Sequence, residues 1–103
     1  MDIVFETLAE PNRRRILDLL REGERPAGDL IGALGISQPN VSKHLRVLRE
    51  ADLVAVRPEG RQRLYSVNAA RLAAIDAWLA PYRRFWSSKL DALEEHLDRE
   101  NPQ

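Results

Sequence analysis

The stretch SQPNVSKHLRVLRE, Ser37–Glu50, decides how the rest of the chain is read. Val41, Leu45 and Leu48 recur at steps of four and three, which gives a helix one apolar edge. Ser37 is a good N-cap just ahead of it. The other faces carry Gln38, Asn40, Ser42, Lys43, Arg46 and Arg49. Amides, a hydroxyl and cations on a helical face are most often a solvated surface. The segments on either side give this one another meaning.

On the N-terminal side, Pro26 opens a helix whose Leu30, Ile31 and Leu34 face inward, and Gly35 ends it. That helix and the next are joined by a turn of about three residues containing glycine, a helix-turn-helix signature. On the C-terminal side, Leu53 to Arg57 is rich in β-branched residues, and Pro58–Gly60 (PEG) signals a turn. Gln62 to Val67 returns as a second strand, with Arg57, Arg61 and Arg63 near the tip. A hairpin placed there is a wing.

Farther upstream, Asp2 to Leu8 is a short amphipathic helix with Ile3, Val4 and Leu8 as its apolar residues. Pro11 suits the first turn of a second helix, whose Ile16, Leu17, Leu19 and Leu20 stop at Gly23. Downstream, Ala69 to about Arg99 is helical in pattern. Its stripe is Leu72, Ile75, Leu79, Tyr82, Trp86, Leu90, Leu93 and Leu97. Pro81 falls inside that stripe, so a kink or brief break is expected there. Residues 101–103 are expected to fray. The expected fold is mainly α with a small β-hairpin. It is one winged helix-turn-helix domain over residues 1–100, with recognition helix 37–50, wing 53–67, and helices 1–9 and 69–99 at a dimer interface.

Composition narrows the function. The chain has 103 residues, 44% of them hydrophobic, and no cysteine, which excludes disulfides, thiolate metal sites and a cysteine nucleophile. This usage fits a cytoplasmic protein. No run of about eighteen apolar residues is present, and MDIVFETLAEP has no basic n-region. Two distant histidines, no phosphate loop and no nucleophile with a base argue against an enzyme. Sixteen basic and sixteen acidic residues cancel, but their distribution is uneven. Residues 37–63 carry six basic against three acidic groups, while residues 85–103 carry two against five. An acidic tail hides a basic middle.

A helix fits the major groove of B-DNA, where base edges present a readable pattern of donors and acceptors. Gln38, Asn40, Ser42 and Lys43 are polar groups suited to that reading near a helix N-terminus. Arg46 and Arg49 would hold phosphates and fix register. Arg61 and Arg63 on the wing would touch phosphates or a neighbouring minor groove. His44 either approaches DNA or packs near the wing.

The whole pattern resembles the ArsR-type winged-helix transcriptional repressors over nearly the entire chain. LAEPNRRRILDLL resembles the family's second-helix entry, usually written with Asp where this chain has Glu10. SQPNVSKHLRVLREADLV resembles its recognition helix and first wing strand, and EGRQRLYSVN the rest of the wing. The resemblance implies a dimeric repressor with Gln38, Asn40, Ser42, Lys43 and Arg46 toward DNA, and the first and last helices at the dimer interface. Many members release DNA on binding metal. Their thiolate motif falls at ERPAGDL, where Pro26 and Gly28 occupy the cysteine positions and offer no ligand. YRRFWSSKLDALEEHL resembles a subset without that sensor. No metal and no cofactor are expected, and the resemblance names no effector.

Dimerisation also follows from length. A helix over 69–99 spans about 46 Å, whereas a compact chain of this size has a radius of gyration near ~13 Å. The last turns would project with Tyr82, Trp86, Leu90, Leu93 and Leu97 uncovered, unless a second copy covers them with help from Ile3, Val4 and Leu8. A chain folding back at Pro81 is the alternative. Arg13, Arg14 and Arg15 read as a solvated face with one salt bridge, Trp78 and Phe85 as core or interface, and Tyr65 as packing the hairpin on the helices. His96, beside Glu95 and Glu100, reads as surface. The expected partners are double-stranded DNA and a second copy of the chain, bound at a near-palindromic operator. Two alternatives differ in class: a winged-helix protein-interaction module without DNA binding, and a repressor that responds to metal through His96 and carboxylates.

Overall fold

The computed structural model describes residues 2–100, so the expected frayed tail, 101–103, lies outside the described residues. Among the described residues, five helices and three strands follow in the order α1 (Asp2–Ala9), α2 (Pro11–Leu20), β1 (Arg25–Pro26), α3 (Ala27–Leu34), α4 (Gln38–Glu50), β2 (Val54–Glu59), β3 (Gln62–Val67) and α5 (Ala69–Glu100). Contacts group them into two compact units, one up to Leu72 and one from Ala73 onward. This is a winged helix-turn-helix, mainly helical, with a long C-terminal helix.

In the first unit the apolar edges meet in one core. Ile16 and Leu20 of α2, Leu30 and Leu34 of α3, and Val41, Leu45 and Leu48 of α4 are all buried there, with Leu53 and Val54 closing it from the start of the wing. Fully burying one such leucine contributes about 1.5–3 kcal/mol. Val4 is also in this core at 1% exposure, so its side chain is committed to its own chain and leaves the expected partner face. Ile3 is half exposed, whereas Ile31, expected inward, is only partly buried.

Pro11, Gly35 and Ser37 stand at helix ends as expected, whereas the roles of Glu10 and Asp52 there were not expected. Glu10 caps α2 by accepting from the Arg13 backbone N–H at 3.1 Å, with Pro11 at the first helical position. Gly35 follows α3 in the left-handed region (φ 68°), where glycine carries no Cβ penalty. Ser37 Oγ accepts from the Asn40 N–H at 3.3 Å and starts α4. Helix α4 ends through Asp52, a left-handed non-glycine residue (φ 63°). The junction after it is tied to the first turn of α5. Asn68 donates its backbone N–H to the Leu53 carbonyl (2.9 Å) and its side chain to the Asp52 carbonyl (2.8 Å). Arg71 Nε donates to the Ala51 carbonyl at 3.2 Å.

The wing differs from expectation in two ways. Its turn is Gly60–Arg61, because Pro58 and Glu59 still pair with Arg63 and Gln62. Pro58 is tolerated because the sheet order β1-β3-β2 leaves β2 on an edge, and Gly60 supplies the positive φ (59°) that a tight hairpin turn needs. The hairpin is also part of a three-stranded antiparallel sheet, since Arg25 and Pro26 pair with Tyr65 and Leu64.

In the second unit, α5 continues through Pro81 without the expected break or a fold-back there. Proline removes one donor from the ladder, and its fixed φ is close to helical; the turns on either side carry the helix across. Trp78, Tyr82 and Trp86 stack along one face with ring centroids 5.0 and 6.4 Å apart. Phe85 lies under the Lys89 ammonium at 5.4 Å. Trp78, Tyr82, Phe85, Trp86, Leu90, Leu93 and Leu97 are all exposed by 46–64%.

Candidate nucleic-acid interface

At about 100° per residue, Pro39, Lys43, Arg46 and Glu50 lie opposite the buried edge of α4. Gln38, Ser42 and Arg49 fall on one flank, Asn40 and His44 on the other. Gln38, Asn40, Ser42, Lys43, Arg46 and Arg49 are all exposed, as are Arg61 and Arg63 on the wing.

The strand register sorts the wing arginines by face. Pro58 and Arg63 stand opposite each other on the same side as Val56 and Tyr65, while Arg57 shares the other side with Leu64. Arg63 lines a cleft of about 310 Å³ with Arg49, Val56, Arg57 and Pro58, so the wing and the C-terminal end of α4 present cations together. Arg57, expected near the tip with its neighbours, is occupied. Its Nε donates to Glu24 at 2.9 Å, and its other nitrogens bond Glu24 and Glu59. These bonds, Glu24's first, hold the guanidinium even more firmly protonated than usual, and the bond from Arg57 lowers the Glu24 carboxyl below its ordinary value. Among the described residues, Lys43, Arg46, Arg49, Arg61 and Arg63 have no such carboxylate partner.

His44 departs from the outward group. Its side chain is 14% exposed and turned to the start of α2. Nδ1 accepts from Arg13 Nε at 3.4 Å and lies 3.9 Å from Glu10 Oε2. Neither Glu10 nor Arg13 stands out as functional in the sequence. Of the three arginines of α2, Arg14 and Arg15 are exposed as expected and Arg13 is partly buried, and among the described residues they bond carbonyls and Asn12 rather than forming the expected salt bridge. Arg13 Nη1 donates to the Thr7 carbonyl (3.3 Å), Arg14 to the carbonyls of Leu8 and Ala9 (2.7 and 3.1 Å), and Arg15 to Asn12 Oδ1 and the Leu34 carbonyl (3.1 and 3.4 Å). The first two supply donors to the open C-terminal end of α1.

A separate cavity of about 690 Å³ opens between Leu8, Leu17, Leu20, Val67 and Leu72, and no α4 residue lines it. Among the described residues, no group of three or more His, Asp or Glu side chains is placed to hold a metal ion, and no helix is long and apolar enough to cross a membrane.

An apolar-edged helix with an unpaired cationic face, set by a helix-turn and flanked by a wing, defines a DNA-binding transcription regulator. Comparison with known proteins gives the family. Residues 10–56 match the family described as bacterial regulatory protein, arsR family. The chain is 37% identical over 79 residues to the transcriptional repressor SdpR of Bacillus subtilis (strain 168), covering 77% of this chain and 88% of that one. It is 37% identical over 99 residues to the HTH-type transcriptional regulator Rv2034 of Mycobacterium tuberculosis (strain ATCC 25618 / H37Rv), covering 96% and 90%. Among solved structures, it is similar to the ArsR family transcriptional regulator RHA00566, with TM-score 0.73, 27% identity, and 84% and 94% of the two chains covered. It is also similar to a possible transcriptional regulator for arsenical resistance, with TM-score 0.67, 41% identity, and 85% and 88% covered. The chain belongs to the arsR family of bacterial transcription regulators. Like its relatives it is a regulator rather than an enzyme.

Proposed function

We propose that two copies of this chain bind a near-palindromic operator in the cytoplasm and repress transcription by occupying it. The observation that carries the reading is the exposed, unpaired face formed by Gln38, Asn40, Ser42, Lys43, Arg46 and Arg49 with Arg61 and Arg63 of the wing. Base reading would come from the polar groups near the start of α4, and register from the arginines. Support for two copies comes from α5. Tyr82, Trp86, Leu90, Leu93 and Leu97 follow one another at helical spacing and are exposed, more apolar surface than a monomer usually leaves in water. Ile3 and Leu8 would add to the shared surface, with helices 1–9 and 69–99 as the dimerisation elements. The relative named a repressor, SdpR, supports the direction of regulation.

Selection of bound sites from random duplexes by the purified protein tests this. The expected product is a pair of inverted half-sites about 34 Å apart, centre to centre. Recovery of no preferred duplex would reject the reading, and a lone half-site would reject the dimer.

A further inference from the structure

The polar groups joining α2 to α4 lie outside the DNA-facing surface and take no direct part in it. His44 Nδ1, on α4, accepts from Arg13 Nε at 3.4 Å. Arg13 is itself held at two more points. Its backbone N–H donates to Glu10 Oε2 at 3.1 Å, and its Nη1 to the Thr7 carbonyl of α1 at 3.3 Å. The arginine therefore ties α1, α2 and α4 together. Its tie to α4 runs through the imidazole, which is largely buried.

Lys43, beside His44 in the chain, and Arg46, two residues on, lie on the outer face of the same helix. The core contacts of Val41, Leu45 and Leu48 are apolar and non-directional. They keep α4 in place, and the bonds from Asn68 and Arg71 fix the segment after its C-terminal end. A directional bond on the flank, at His44, resists a roll about the helix axis. Any roll at His44 carries Lys43 and Arg46 with it, because they share one rigid helix.

We propose that His44 is a positioning residue for DNA reading: as a neutral acceptor for Arg13 it sets the rotation at which α4 presents Lys43 and Arg46. This rests on the DNA-binding function proposed for the α4 face. The arrangement requires Nδ1 to be unprotonated, with any ring proton on Nε2. The carboxylate of Glu10 lies 3.9 Å from the same nitrogen. Glu10 and Arg13 are the charged groups that α2 turns toward the ring. From α1 comes only the Thr7 carbonyl, through Arg13, and the α4 neighbours one turn away, Asn40, Val41, Val47 and Leu48, carry no titratable group.

The test compares His44→Asn, His44→Gln and His44→Leu with the unaltered protein. Asn returns an acceptor at the position of Nδ1, whereas Gln places one at the position of Nε2 and Leu places none. The quantity measured is the ratio of affinities for a selected site and a scrambled duplex, which removes plain charge effects. His44→Asn is expected to keep the ratio, and Gln and Leu to lower it by roughly tenfold, the scale of one hydrogen bond to a charged group. Circular dichroism checks folding, and if His44→Leu does not fold, His44→Gln decides the outcome. An unchanged ratio in the folded Gln or Leu variant, or a ratio lowered as far in His44→Asn as in His44→Gln, overturns the proposal. If the unaltered protein itself shows no preference for any duplex, the DNA-binding function has failed instead.

Discussion

Salt dependence separates the cations proposed to face DNA from Arg57. Lys43, Arg46, Arg49, Arg61 and Arg63 are exposed without a carboxylate partner among the described residues, whereas Arg57 is bound by Glu24 and Glu59. If each of the five neutralises one phosphate in each of two protomers, the slope of log affinity against log salt is about −9, at roughly −0.9 per phosphate. Replacing Lys43 and Arg46 with alanine removes two contacts per protomer and brings the slope to about −5.4. Raising salt from about 50 to about 200 mM then weakens the unaltered protein by roughly five powers of ten and the double variant by roughly three. Arg57→Ala has no phosphate contact to lose, so its slope stays at that of the parent. Fluorescence anisotropy with a labelled selected site, titrated in salt, measures all three. A slope unaffected by Lys43→Ala with Arg46→Ala, or reduced by Arg57→Ala as much as by Arg61→Ala, would refute the assignment of the binding face.

Other consequences are equally direct. Leu48 is fully buried, so Leu48→Ala should destabilise the fold by about 2–5 kcal/mol, read as a lower urea midpoint at unchanged slope. Gly35→Ala introduces a Cβ that meets no atom within 4 Å, so its cost is backbone conformation alone, about 1–2 kcal/mol; Gly35→Asn should recover part of it. The Glu24 carboxyl is lowered in the folded state by Arg57, so the pair stabilises above the ordinary carboxylate value and is lost as pH falls through the lowered one. Glu24→Gln should therefore lose stability near neutrality and show a shallower acid decline in chemical denaturation. Trp86→Glu with Leu90→Glu should leave a monomer in sedimentation at concentrations where the parent is a dimer; an unchanged mass would reject the α5 interface.

What the sequence made legible was what repeats locally. Val41, Leu45 and Leu48 revealed their edge by spacing, and Ser37 and Gly35 marked helix ends with chemistry that acts within four residues. What it concealed depends on partners far along the chain. The strand at Arg25–Pro26 is two residues long and exists only because Tyr65 and Leu64 are beside it. Arg57 looked like another wing cation because Glu24, its partner, is 33 residues away. His44 sits at the border of the apolar edge, where periodicity does not decide, and Arg13, 31 residues upstream, decides it. Pro58 moved the turn because a proline on an edge strand and a proline in a turn look alike in one dimension. Pro81 left a kink, a break and a fold-back open, because a proline inside an apolar stripe weakens the ladder without fixing whether the turns on either side carry the helix across.

The three hydrogen bonds from Asn68 and Arg71 to the carbonyls of Ala51, Asp52 and Leu53 make the entrance of α5 and the exit of α4 one mechanical joint. Twisting the first turn of α5 while holding the DNA-facing helix still means rupturing that joint. Rotation of that first turn is thus resisted at the main-chain carbonyls just past α4, which side-chain substitution on the proposed reading face leaves untouched.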